Sequence, residues 1–180
     1  MKKFIAGTFL FLLFGSTEAQ KYISEKSLVT FFSDARVEDI YAVNKNASGI
    51  IDISSMQLAF SVPIIDFKFE KKLMQEHFNE KYMETEKYPK SVFQGQVIGF
   101  NQAIKGQQKV KAKGKLTIHG VTNEVEIPGT IEVTPDNKLN IKSTFMVKLK
   151  DYKITIPQLL WQNVAEEVEV KIDFGLKAKS

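Results

Sequence analysis

Lys109-Val110-Lys111-Ala112-Lys113-Gly114-Lys115-Leu116-Thr117-Ile118-His119-Gly120-Val121-Thr122-Asn123-Glu124-Val125-Glu126-Ile127-Pro128-Gly129-Thr130-Ile131-Glu132-Val133 alternates between two kinds of side chain. Successive side chains of a β-strand point to opposite faces, so a period of two separates a dry face from a wet one. Before the turn the dry face reads Val110, Ala112, Gly114, Leu116, Ile118, and the wet face Lys109, Lys111, Lys113, Lys115, Thr117. After it, Val125, Ile127, Gly129, Ile131 and Val133 oppose Glu124, Glu126, Pro128, Thr130 and Glu132. His119-Gly120-Val121-Thr122-Asn123 joins the two as a turn. The result is an antiparallel hairpin whose outer face sets lysines against glutamates, an arrangement that favours cross-strand pairing.

The same period continues outward from this hairpin. Leu139, Ile141, Ser143, Phe145, Val147 and Leu149 alternate with polar neighbours after the Pro135-Asp136-Asn137 turn. Val168, Val170, Ile172, Phe174, Leu176 and Ala178 do so near the C-terminus. Less regular strands are expected over 26–32, 37–44, 49–54, 56–68 and 91–100, giving roughly nine, or eight if two join through a bulge. A helix is expected from about Phe69 to Met83, where Leu73, Met74, His77, Phe78 and Tyr82 recur at spacings of three and four. It ends before Tyr88-Pro89, since a proline disfavours helical backbone in the residue before it. No linker or repeat divides the chain, so one domain is expected over 20–180.

Antiparallel strands with one apolar face close into a barrel or pack as a two-sheet sandwich, and alternation alone does not separate the two. Ala112, Gly114, Gly129 and Ser143 lie on apolar faces, where a sandwich core favours bulk. Their smallness fits a lumen, but a strand glycine marks a bend equally well.

The N-terminus opens on Lys2 and Lys3, runs apolar from Phe4 to Phe14 and turns small and polar through Gly15 to Ala19. That is the pattern of a signal peptide over 1–19 with cleavage after Ala19. Its core of about eleven residues is short of the roughly twenty that cross a bilayer. The chain contains no cysteine, which excludes a lipid-modified N-terminus, disulfides and thiolate chemistry. The expected product is periplasmic or secreted, with no lipid anchor. The formal charge is +4, and losing Lys2, Lys3 and Glu18, a net +1, leaves +3. Lysine and glutamate are mixed along most segments, which argues against nucleic acid as a partner. Lysines along the outward faces, each costing about 2–4 kcal/mol at mid-bilayer, exclude a membrane-spanning barrel.

Signals for chemistry are weak. His77 and Glu80, one helical turn apart, form half of a metal site at most, and the only other histidine, His119, sits in a turn. No Gly-x-Ser-x-Gly elbow and no glycine-rich phosphate loop occurs, so neither a catalytic centre nor a cofactor is expected. Glu84 with Glu86, and Glu166 with Glu167, read most simply as solvated charges.

Three segments resemble the YceI-like family of secreted, lipocalin-like, polyisoprenoid-binding proteins. His77-Phe78-Asn79 through Tyr88-Pro89-Lys90-Ser91-Val92-Phe93-Gln94-Gly95 is similar to the family's helical segment, tyrosine-proline turn and following strand. Gly114-Lys115-Leu116-Thr117-Ile118-His119-Gly120-Val121-Thr122 matches its G-x-L-T-I-x-G-V-T hairpin and is the most specific piece. Asp151-Tyr152-Lys153-Ile154 with Val164 to Asp173 resembles the closing hairpin. Lys26-Ser27 stands where the family often has His-Ser, a second family histidine is missing, and Gln75-Glu76-His77 replaces a common Arg-Asp pair. These departures bear on polar contacts at the barrel mouth.

The resemblance implies an all-β fold, an eight-stranded antiparallel lipocalin-like barrel with a short helix over one end. It also implies a long-chain isoprenoid or acyl lipid in the lumen, and a homodimer. Burying ten to fifteen carbons would contribute a gross ~8–12 kcal/mol before the cost of association, enough without a charged anchor. Phe67, Phe69, Leu73, Met74, Phe78, Tyr82 and Phe93 are the candidate lining near the helix, with His77 at the mouth. Gly114, Leu116, Gly129 and Phe145 are the candidate lining of the strands, and Trp161 a rim or lid residue. Non-catalytic binding, as carrier, scavenger or sensor, is the expected role. An enzyme or redox accessory on the same scaffold, or a filled barrel that binds another protein, are the alternatives.

Overall fold

A computed structural model describes residues 20–34, 39–156 and 165–179. The expected signal peptide and Trp161 lie outside the described residues. The strands are β1 (Lys21–Ser33), β2 (Ile40–Asn44), β3 (Ser48–Asp52), β4 (Gln57–Pro63), β5 (Lys68–Phe69), β6 (Lys90–Ile98), β7 (Gly106–Ile118), β8 (Val121–Val133), β9 (Leu139–Lys148) and β10 (Glu167–Ala178). Their order is β10-β9-β8-β7-β6-β4-β3-β1, and β10 pairs with β1 to close the ring, so eight antiparallel strands form a barrel. β2 and β5 branch from β1 outside that ring. Closure removes the exposed edges that an open sheet of this size would present.

The β7–β8 hairpin has the register that alternation predicts, with Lys113 opposite Glu126 and Lys115 opposite Glu124. The ion pair that forms is diagonal, Lys111 to Glu126 at 2.6 Å, and it holds the Glu126 carboxyl below the usual carboxylate range. His119 and Gly120 carry positive φ, at 50° and 72°, which turns the chain in two residues between strands that both twist to the right.

The ring is tight at one end and flared at the other. β1 pairs with β3 only over Lys21–Ile23, and from Val29 to Ser33 it takes β2 as its partner. β8 pairs with β9 only from Thr130↔Lys142 to Val133↔Leu139, although it runs beside β7 for its full length. Pro128, which has no N–H to give, stands just beyond the last β8–β9 pair. At the tight end Tyr22, Ile51, Ile131, Leu139 and Leu176 are all buried to 1% exposure or less. A Gln102 amide there donates to the Tyr22 hydroxyl at 2.9 Å and to the Gln20 side-chain oxygen at 2.8 Å.

The helix starts later than expected and changes type partway, while it ends by Met83 as expected. Phe69 is taken into β5, where it pairs with Ala42, so α1 begins only at Lys72 and runs to His77. A π turn over Phe78–Tyr82 follows. The strand expected over 37–44 starts at Ile40, residues 35–38 lying outside those described. Asn44, fully buried, ties the β2–β5 branch to the ring: its side-chain amide donates to the Pro63 carbonyl at 2.7 Å and its oxygen accepts from the Asn46 N–H at 2.8 Å. Asn44→Ala would leave both backbone groups without a partner. Urea unfolding is expected to record a loss of about 1–3 kcal/mol, and an unchanged midpoint would show that water replaces the amide.

Candidate functional site

The flared half encloses a cavity of about 580 Å³. Its wall is hydrocarbon and sulfur except at Ser33, Lys71, His77, Tyr82 and Ser91. Alternation makes the wall, since one face of every ring strand points inward: β10 contributes Val168, Val170 and Ile172, β9 contributes Phe145 and Val147, and β7 contributes Leu116 and Ile118. Burial raises the Tyr82 hydroxyl above its ordinary range, so this polar group stays neutral.

The helix stands over the open side of this space. Leu73, Met74, His77, Phe78 and Tyr82 face the cavity, and Phe67 and Phe69 face it from the segment before α1. The π turn inserts the extra residue that keeps Phe78, Tyr82 and Met83 all turned inward after α1 ends. Phe31, Phe67, Phe69 and Phe78 pack on one another with centroids 4.9–5.7 Å apart. Leu73 is 62% exposed, so one large apolar side chain of α1 is bathed in water at the rim. Among the strand candidates Phe93, Leu116 and Phe145 line the cavity as well.

Gly114 and Gly129 do not line it. Gly114 lies opposite Gly95 on β6, and a Cβ at Gly114 would stand 2.5 Å from the Gly95 Cα and collide with the Gln94 carbonyl. The pair lets two strands approach closely, so smallness here marks contact between backbones and not open space. A Cβ at Gly129 would stand 2.8 Å from the Lys142 carbonyl, at the point where β8 and β9 part. Gly129 belongs to an outer groove with Tyr41, Ile98 and Lys109.

Sequence reasoning passed over Phe31, Phe60 and Phe174, which also line the cavity. All three stand on apolar faces of their strands, and that was the available signal. The two histidines part company. His77 is at the mouth, whereas His119 lies away from the cavity, its Nε2 2.8 Å from the Glu84 carboxylate, its Nδ1 3.3 Å from the Tyr152 carbonyl and its ring edge-on to Tyr88. Glu84 is thus a partner in a contact between two turns while its side chain stays 45% exposed, the solvated charge that was expected. Among the described residues no three His, Asp or Glu side chains are placed to hold a metal ion, and no helix is long and apolar enough to cross a membrane.

The family model described as YceI-like domain matches residues 21–176. No curated protein sequence matches the chain. Among solved structures, a polyisoprenoid binding domain from Saccharophagus degradans is similar with a TM-score of 0.75 at 15% identity, covering 88% of this chain and 98% of that one. Burkholderia cenocepacia BcnA is similar with a TM-score of 0.69 at 18% identity, over 83% of this chain and 95% of its own. The Campylobacter jejuni YCEI protein gives 0.57 at 15% identity, over 100% and 99%. At these identities the likeness is one of fold.

Proposed function

We propose, on the premise that this chain belongs to the YceI-like domain family, that it binds one long apolar lipid, an isoprenoid or acyl chain, in the flared half of its barrel. The observation that carries this reading is the cavity itself, walled almost entirely by hydrocarbon and reached past α1. A space with that lining offers few polar groups to bind the water it holds, so a hydrocarbon tail is its natural occupant. Binding acts by burial alone, and the protein serves as a carrier, scavenger or sensor of such a lipid in the cell envelope. The polyisoprenoid named for the Saccharophagus degradans domain supports the choice of ligand class. The leader-like N-terminus supports export to the periplasm or beyond.

Native mass spectrometry of the protein purified from its own compartment tests this. The expected result is an added mass that organic extraction removes and that an added prenol or fatty acid restores. A bare polypeptide that takes up neither compound overturns the reading.

A further inference from the structure

The barrel is hollow over only part of its length, and two aromatic rings mark where the hollow stops. Phe60 on β4 and Phe174 on β10 belong to strands that are not neighbours in the sheet, yet their ring centroids are 4.6 Å apart across the lumen. Both line the cavity, and Phe174 is 1% exposed. Beyond them, Tyr22, Ile51, Ile131, Leu139 and Leu176 fill the interior and none lines the cavity. Gly49 lies opposite Phe60, and the Phe60 ring occupies the place its Cβ would take, so the glycine leaves room for the ring in this position.

The geometry points to the Phe60–Phe174 pair as a floor that sets the longest chain the cavity takes up whole. This rests on the lipid-binding reading above and adds the length class of the ligand. At about 30 Å³ per methylene, close to the share of one water molecule, the cavity of about 580 Å³ accommodates roughly twenty carbons. A geranylgeranyl or common fatty chain fits entirely, whereas a much longer polyprenyl chain leaves its remainder outside the mouth. With the tight end filled by Tyr22, Ile51, Leu139 and Leu176, the tail reaches the floor from the helix side.

The test is the affinity of the delipidated protein for a homologous series from dodecanol to hexacosanol, with farnesol, geranylgeraniol and an octaprenol as the branched counterpart, read by titration calorimetry. Each methylene that enters is expected to tighten binding about fourfold, and the gain is expected to stop near twenty carbons. Phe174→Ala is expected to move the break roughly three or four methylenes further. Phe60→Val moves it the same way and decides the matter if Phe174→Ala does not fold. A break unmoved in variants with unchanged far-UV circular dichroism overturns the floor, as does affinity still rising at hexacosanol in the unsubstituted protein. No binding at any length overturns the lipid-binding reading itself, and the floor with it.

Discussion

Gly114→Phe is expected to leave no folded protein, and Gly114→Ala to lower stability by about 2–3 kcal/mol. A phenylalanine here has no lumen to enter, because its Cβ already lies within the Gln94 and Gly95 backbone. Relief requires β6 and β7 to separate in the middle of a ladder that runs from Val92↔Thr117 to Ile98↔Lys111. Overpacking a well-filled site costs about 1–3 kcal/mol when side chains can give way, and more when only backbone can. A domain with about 5–15 kcal/mol in hand absorbs the alanine but not the ring. Gly95→Ala should cost a similar amount, since its Cβ would meet the Gly114 Cα at 2.8 Å. Because either change forces the same separation, Gly95→Ala with Gly114→Ala should cost less than the sum of the two. Urea unfolding of the three variants measures this, and additive losses, or none, would show that the strands do not meet at these glycines.

The glycines also show where a sequence stops being informative about its fold. The β7–β8 hairpin was legible to the register because lysine and glutamate alternate with valine and isoleucine over both strands, and a slip of one residue would turn every valine outward. Gly114 sits in the same alternation and gives nothing of the kind. What decides its role is Gly95, nineteen residues away and joined to it only by the pairing of β6 with β7. Phe60 and Phe174 were readable as inward-facing but not as floor, since their level along the barrel depends on the tilt and stagger of strands around the ring. Phe69 fitted the helical spacing of Leu73 and Met74, and a two-residue bridge to β2 overrode it. The helix-end cluster was the most legible part of the site, because spacings of three and four bring Leu73, Met74, His77 and Phe78 to one side whatever lies beneath. The flare itself was hidden, since it follows from where two ladders end and no composition records that.

Phe145→Lys is expected to abolish lipid uptake while leaving the barrel folded. Phe145 faces the cavity from β9, opposite Val170 on β10, on the flared stretch where β9 has already parted from β8. It is half-buried, and it packs against the core without belonging to its fully enclosed part. A lysine there keeps its ammonium group in the water of an empty cavity, at the expense of some packing and without a buried charge. A hydrocarbon tail changes that balance, because filling the cavity strips the water from the ammonium group and offers nothing in return. Even a neutral polar group left without a partner costs about 1–3 kcal/mol in proteins, and a charge costs more. A loss of at least about a hundredfold in affinity follows, each tenfold being about 1.4 kcal/mol. Phe145→Leu is the control: it stays apolar, and its affinity should fall by about tenfold at most. Both variants should keep the far-UV circular dichroism of the parent, and calorimetric titration with geranylgeraniol separates them. Equal affinity in Phe145→Lys and Phe145→Leu would mean that the chain does not lie where β9 and β10 form the wall.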